Sequence, residues 1–450
     1  MTQDPTEETP HPHEDPADPD RAPGAPSTAT SPLGIPDSLT VRSEAAAAVG
    51  ETLLASGMAS YRVKVAMART ARALGLDSFT AIVTFTDITA TATMDGRYRT
   101  RITRPDHVGV NVDHLHRTVR MVEELPARGT TAAEIYGWLG SIRARRPLHS
   151  GPVAVLAAAV ACAAFAFLNQ AGPLEMLAAG LAAGVGQATR RAVQRRRWNH
   201  LLVTVLAAVV TSACYLLLTQ VPVALGLIGP GHLGGFLASV LFLVPGFPLI
   251  TGLLDLVRGD YSAGLARLTY AAVIIAGAAS AVWSVGLAAG IDPAPSASLV
   301  LPFAVEWPLR ALATFAGVLG FAILFNSPWR IALAAASVSV LANSLRFLLT
   351  ELGAPVQLAT LGATALVGVL AYLLARRYRL PRTAISVPAV VIMIPGFAMY
   401  GGLALLNAGD LTGGVMLLQE ALLTVLAAGM GLALAHLATS PAWRLVDHPH

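Results

Sequence analysis

From about residue 150 to residue 437 the chain is a succession of apolar runs, each long enough to cross a bilayer. About 20 residues suffice for one crossing. No other feature restricts the fold as much. Within lipid, every backbone N–H and C=O must find its partner inside the protein, so apolar runs of this length are expected to be helices. Ten spans are expected, at about 151–169, 173–189, 200–219, 232–250, 264–289, 308–326, 330–349, 355–375, 384–404 and 414–437. The second is short and rich in glycine. Only 13% of residues are charged and 54% are hydrophobic, whereas a soluble chain carries about 25% charge. The expected class is an α-helical polytopic membrane protein.

Charge then orients the spans. The arginines cluster at span ends, so the net charge of +4 needs no nucleic acid to explain it. "RRAVQRRR" at 190–197, "ARRYRLPR" at 375–382 and "IRARR" before the first span are basic, which places all three in the cytoplasm. Ten alternating spans put them on one side, with both termini cytoplasmic and the protein in the plasma membrane. Trp198, Trp307, Trp329 and Trp443 sit at span ends, as an aromatic belt requires. The almost uncharged "GIDPAPSAS" at 290–298 suits an outside loop. Cys162 and Cys214 lie within apolar runs, so no disulfide framework is expected. The N-terminus has neither a basic start nor an apolar core, and is not read as a secretory signal.

Residues 1–37 are rich in Pro, Asp, Glu, Ser and Thr, and are expected to form a disordered acidic tail. His11 and His13 fall in this solvated stretch. Residues 38–148 read as a soluble α+β domain on the cytoplasmic side. Helical spacing in "SEAAAAVGETLLASGMASYRVKVAMARTARALGL" is interrupted near Gly57, giving two helices. A β-branched stretch with Asp95-Gly96 as a hairpin turn follows, then two more helices. A three-stranded antiparallel sheet is expected. Asp113, His114 and His116 resemble metal ligands in type, but i, i+1 and i+3 do not share one helical face. No metal and no cofactor are expected.

One sequence is written twice. Over 243–265 against 393–415, without gaps, nine of 23 positions are identical, from Pro245-Gly246-Phe247 and Pro395-Gly396-Phe397 to Gly264 and Gly414. Chance would give roughly two or three in so biased a composition, so the chain contains an internal duplication. The 150-residue offset carries spans four and five onto nine and ten, and span three onto eight. Each copy therefore holds five spans, 150–290 and 300–438. An odd number turns the second copy upside down, which makes an inverted repeat.

The repeated chemistry is a broken helix. Pro-Gly about fifteen residues into a span removes a backbone donor, and freed polar groups are tolerated only where they face protein or a watery cavity. Two such breaks would aim half-helix N-termini at the bilayer midplane, where a carboxylate can bind. Asp260 and Asp410 precede helices and suit N-caps. The copies differ in two places: Pro248 is matched by Ala398, and Asp255 by Leu405.

"GMASYRVKVAMARTARALGL", "LVPGFPLITGLLDLVRGDYSAGLARL" and "IPGFAMYGGL" together resemble the threonine/serine exporter family. The resemblance covers residues 43 to 437. It implies a ten-span carrier with a cytoplasmic N-terminal domain that exports small amino acids, threonine and serine, using the proton motive force. Split relatives in the superfamily imply a dicarboxylate exporter, succinate-like in substrate, as the alternative. The family's N-terminal domain is described as hydrolase-like, but no Gly-x-Ser-x-Gly occurs here. A membrane-anchored enzyme would also make an inverted repeat with two breaks superfluous, so no catalytic residues are expected.

Substrate contacts are expected from Pro245, Gly246, Pro248, Asp255, Asp260, Asn343, Pro395 and Gly396. Glu420 lies beside Gln419 about one and a half turns into the tenth span. An ionisable group at such depth is a functional candidate by default, so Glu420 is expected to couple protons, with Glu175, at the start of the second span, as the other candidate. Asn343 and Arg346 stand one turn apart, and Arg346 is expected to snorkel toward the headgroups. The partners expected are the amino acid, protons and the bilayer, with no nucleic acid; a homo-oligomer stays open.

Overall fold

A computed structural model describes residues 37–105, 109–227, 235–290 and 301–440. The acidic tail with His11 and His13, residues 291–298 of the outside loop, and Trp443 lie outside the described residues.

The N-terminal part holds four helices and one sheet. Helix α1 (Asp37–Ala55) ends before Gly57, whose φ of 92° favours glycine, and α2 (Ser60–Ala73) follows. Strands β1 (Ser78–Val83), β2 (Ile88–Met94) and β3 (Arg97–Thr103) form an antiparallel meander in that order. Asp95 and Gly96 both have positive φ, 50° and 72°, the conformation a two-residue hairpin needs. In β2, Ile88, Ala90, Ala92 and Met94 alternate into the core, and α1 covers that face. Asn111 caps α3 (Val112–Glu124), and a Thr131–Glu134 capping box starts α4 (Ala132–Arg143). The Asp113 carboxylate is taken by Arg117 at 2.9 Å and Arg145 at 3.6 Å. Burial holds the His116 imidazole below its ordinary pKa, against the pull of Asp113. Among the described residues no three His, Cys, Asp or Glu side chains group as metal ligands.

The rest is helical: α5 (Gly151–Leu168), α6 (Pro173–Gln194), α7 (His200–Ala224), the short α8 (Phe236–Ser239), α9 (Gly246–Val257), α10 (Tyr261–Ala288), α11 (Phe303–Leu324), α12 (Trp329–Glu351), α13 (Val356–Tyr378), α14 (Arg382–Val391), α15 (Gly396–Asn407) and α16 (Leu411–Thr439). Seven of these are long and apolar enough to cross a membrane, and α14 with α15, bent by 47°, makes an eighth candidate. The protein is thus a polytopic helical membrane protein. Helix α6 is 22 residues long but less apolar, since it carries Glu175, Gln187, Arg190 and Arg191.

The stretch expected as one span over 232–250 is not one helix. A 3-10 turn at Leu241–Leu243 follows α8, the chain extends at Val244 (ψ 123°), and α9 starts at Gly246 and runs on to Val257. Pro245 is the cause: it donates no hydrogen bond and pushes the residue before it out of the helical region.

The single 150-residue offset also needs correcting. Helices α9 and α15, and α10 and α16, start 150 residues apart, but α6 and α12, and α7 and α13, start 156 apart. Left-handed residues follow the same rule, with Gln170 and Asn326, and Arg197 and Gly353, separated by 156, and Gly259 and Gly409 by 150. The first copy therefore holds six more residues between the start of α7 and the break before α9.

The N-terminal part, residues 37–143, contacts one end of the helical part. Backbone N–H groups of Val112 and Asp113 donate to the carbonyls of Phe325 (2.9 Å) and Asn326 (3.2 Å). The Asn326 side chain bridges Leu148 and Asn111, and His149 bonds the Ser327 carbonyl at 2.9 Å. A second set of contacts joins α2 to the α9–α10 corner: Lys64 pairs with Asp260, and Ser60 N–H donates to Asp255 at 2.8 Å.

Candidate functional site

The two Pro-Gly breaks have the same backbone. Pro245 (φ −78°, ψ 60°) and Pro395 (φ −78°, ψ 57°) each centre an inverse γ-turn, closed by Gly246 N–H to the Val244 carbonyl and Gly396 N–H to the Ile394 carbonyl, both 2.8 Å. The breaks also touch each other reciprocally. A Cβ added at Gly246 would lie 2.9 Å from Ile394 and 3.2 Å from Val391, and one at Gly396 would lie 2.7 Å from Leu241 and 3.3 Å from Val244. Each contact is the other displaced by 150 residues. A self-complementary contact of this kind is what a two-fold relation produces.

Each break borders a cavity. The first, of about 160 Å³, is lined by Val244 to Pro248 and by Arg190, His200, Arg267, Tyr270 and Phe325. Gly57, Phe85, Gly109 and Val110 of the N-terminal part complete its wall. The second, of about 210 Å³, is lined by Ile394 to Ala398 and by Asn169, Arg346, Val356, Leu417 and Glu420. Shifting the first set by 150 or 156 residues gives the second: Arg190 becomes Arg346, His200 becomes Val356, Arg267 becomes Leu417, and Tyr270 becomes Glu420. Phe325 stands in the same relation to Asn169. The two cavities have one framework and different charges.

The expected site residues separate accordingly. Pro245, Gly246 and Pro248 line the first cavity, Pro395, Gly396 and Glu420 the second. Pro248 also removes one first-turn N–H from α9, whereas Ala398 keeps that donor in α15. Asp255 lines neither. It is fully buried against Arg267, with 3.1 Å between Oδ2 and Nε, and also accepts from Ser60 N–H. Arg267 also donates to Thr251 (3.2 Å) and to the Met58 carbonyl (2.7 Å), and stacks over Phe85. Asp260 makes no cap bond and pairs with Lys64, while Asp410 does cap its helix by accepting from Gly413 N–H at 2.9 Å. The N-cap reading therefore holds for one aspartate only, because Lys64 of α2 reaches the other. Buried Glu175 closes a capping box on Gly172 N–H, away from both cavities. Buried Asn343 links α11 to α12, donating to Thr314 (2.9 Å) and accepting from Arg346 Nε (2.8 Å).

Sequence reasoning missed Arg190, His200, Arg267 and Tyr270. A signal existed for Arg267: continuing the repeat comparison by two residues pairs Arg267 with Leu417, just as Asp255 pairs with Leu405. An ion pair in one copy replaces two leucines in the other.

The crossing of the two breaks can be tested by a single methyl. At Gly396 the added Cβ meets the flexible end of Leu241 rather than backbone. Gly396→Ala should therefore insert and purify normally, cost about 1 kcal/mol of stability, and lower transport severalfold by displacing α15 from α9. Thermal unfolding in detergent together with transport assays reads both effects.

Comparison with known proteins gives a consistent picture. Two models of the threonine/serine exporter family match, ThrE over residues 44–289 and "Threonine/Serine exporter, ThrE" over residues 310–438. A threonine/serine exporter of Corynebacterium glutamicum is 25% identical over 378 residues, covering 82% of this chain and 76% of that protein. The "Probable succinate transporter subunit YjjP" of Klebsiella aerogenes is 27% identical over 225 residues, covering 49% of this chain and 84% of that protein. Its Escherichia coli (strain K12) namesake is also 27% identical, over 228 residues, covering 50% and 86%. No solved structure gives a significant match.

Proposed function

We propose, since this chain belongs to the threonine/serine exporter family, that it is a secondary carrier exporting threonine, serine and similar small amino acids from the cell by proton antiport. It is a transporter and not an enzyme, as the family and the relatives are. The observation that carries the reading is the reciprocal crossing of two broken helices, each bordering its own cavity. A carrier needs one site reached alternately from two sides, and an inverted repeat supplies both half-pathways from one design.

In this reading α5, α6, α7, the broken α8–α9 stretch and α10 form the first five-helix unit, and α11, α12, α13, the broken α14–α15 pair and α16 the inverted second. Ten crossings put the 190–197 and 375–382 arginines, the 258–260 corner and the 325–328 turn on one face, the cytoplasmic one. The N-terminal domain binds that corner and that turn, which supports a cytoplasmic N-terminus, and ten crossings put the C-terminus on the same side. The domain would then close the first cavity from the cytoplasm as a gating module. Residues 38–148, 150–290 and 300–438 are thus gate, first repeat and second repeat in a plasma-membrane protein.

A dicarboxylate substrate is the second reading. The succinate transporter subunits among the relatives favour it, as does a first cavity lined by cations without a carboxylate. Proteoliposomes preloaded with radiolabelled threonine, serine, succinate or leucine separate the two. Threonine and serine efflux stimulated by an opposing proton gradient is expected. Efflux of succinate alone would transfer the assignment to dicarboxylates, and no efflux above empty liposomes would end the exporter reading.

A further inference from the structure

Arg190 and Arg346 occupy the same place in the two copies, 156 residues apart, and each lines the cavity at one Pro-Gly break. Among the described residues neither forms an ion pair. Arg190 Nε is buried with no hydrogen-bond partner. Arg346 spends Nε on Asn343, whose other bond to Thr314 fixes the side chain in place. Arg267, the remaining cavity arginine, is already neutralised by its ion pair with Asp255 and hydrogen-bonded to Thr251 and the Met58 carbonyl. The two repeat-related arginines are the cations left to meet a ligand.

We infer that Arg190 and Arg346 are the carboxylate-binding residues of the carrier, each holding a small carboxylate at the break of its own copy. A guanidinium presents a planar fork that matches a carboxylate with two parallel hydrogen bonds. The first turn of the broken helix adds backbone donors, of Phe247 in the first copy and of Phe397 and Ala398 in the second. An arginine that merely reached for headgroups would carry its donors away from the protein; the buried Nε of Arg190 and the anchored Nε of Arg346 do the opposite.

The second partner of the ligand differs between the cavities. Beside Arg190 stand Tyr270 and His200, hydroxyl to Nδ1 at 2.6 Å, and among the described residues no acidic side chain lines the space. Beside Arg346 stands Glu420 in the place of Tyr270. The Arg346 cavity offers one charge of each sign and suits an amino-acid zwitterion. The Arg190 cavity selects for the carboxylate alone.

This inference rests on the exporter reading for its ligand but is tested separately by binding. Purified full-length protein is titrated calorimetrically with L-threonine, succinate and L-threonine amide, which lacks the carboxylate. The unmodified protein should bind at least one of the two carboxylates and not the amide. Arg190→Gln and Arg346→Gln should each leave the other cavity's site in place and weaken binding at the altered cavity by about tenfold or more, the worth of a charged hydrogen-bonded pair. Arg190→Lys and Arg346→Lys keep the charge without the fork and should recover part of it, which guards against a folding defect. Carboxylate binding without efflux would end the exporter reading and leave the inference standing. Gln variants that both keep the affinity and the number of sites of the unmodified protein, or amide binding equal to threonine, would overturn the inference even if the protein exports threonine.

Discussion

Asp255→Ala is expected to destabilise the protein by about 3–5 kcal/mol, the usual consequence of leaving one member of a buried ion pair without its partner. Arg267 is 1% exposed and Asp255 0%, so water cannot replace the lost carboxylate. Arg267→Leu should be comparably damaging, because it strands the aspartate. The double variant Asp255→Leu with Arg267→Leu should behave differently. It installs the pair that the second copy already carries at Leu405 and Leu417, in a frame where Gly252 and Gly264 approach each other as Gly402 and Gly414 do. Membrane insertion and thermal stability should return to within about 1.5 kcal/mol of the unmodified protein, as volume-tolerant apolar replacements allow. Docking of the N-terminal domain should not return. Ser60 N–H and the Met58 carbonyl would both lose their bonds across the interface. Hydrogen exchange and protease nicking around residues 57–62 should therefore rise in the double variant. Unchanged protection there would mean that the ion pair serves the membrane part alone.

Glu420→Gln should abolish the response of net efflux to a proton gradient while leaving substrate exchange in place. Glu420 is the acidic side chain lining the second cavity, with Arg346 from α12 and the uncharged Asn169 and Thr424 around it. Glutamine imitates the protonated acid, so a carrier that must release a proton to complete its cycle would remain in the exchanging mode. Driven efflux should fall to the rate measured without a gradient, and threonine–threonine exchange should stay within a few-fold of the unmodified protein. Gradient-driven efflux at the normal rate would remove Glu420 from proton coupling. Tyr270→Phe, altered at the same place in the other copy, is the control: it removes a hydroxyl and no carboxylate, so the gradient response should stay intact whatever the change in affinity.

Much of the architecture was legible because its causes are local. A run of twenty apolar residues has one way to satisfy its backbone in lipid. The Pro-Gly pairs at 245–246 and 395–396 break their helices, whereas Pro222, Pro308 and Pro388, each without a following glycine, stay inside theirs. Asp95-Gly96 dictates its hairpin for the same reason, since few residues accept two consecutive positive φ values. The duplicated motif carried more information still, because identical local causes yield identical local turns at Pro245 and Pro395.

What the sequence determined by itself, then, was the helical membrane class, the sheet and the two Pro-Gly breaks. The tertiary structure alone decided which charges are spent. Asp255 and Asp260 read as equals of any motif aspartate until α2, some 195 positions away in the chain, is seen to reach both. Arg346 read as a headgroup anchor until it was found in the cavity of Glu420. Side-chain pairing depends on distances of a few ångströms between residues remote in sequence, and Coulomb and hydrogen-bond energies change most over that range. Helix formation depends on neighbours along the chain, so the chain records it; which neighbour lies across a cavity is settled only by the packing of the helices themselves.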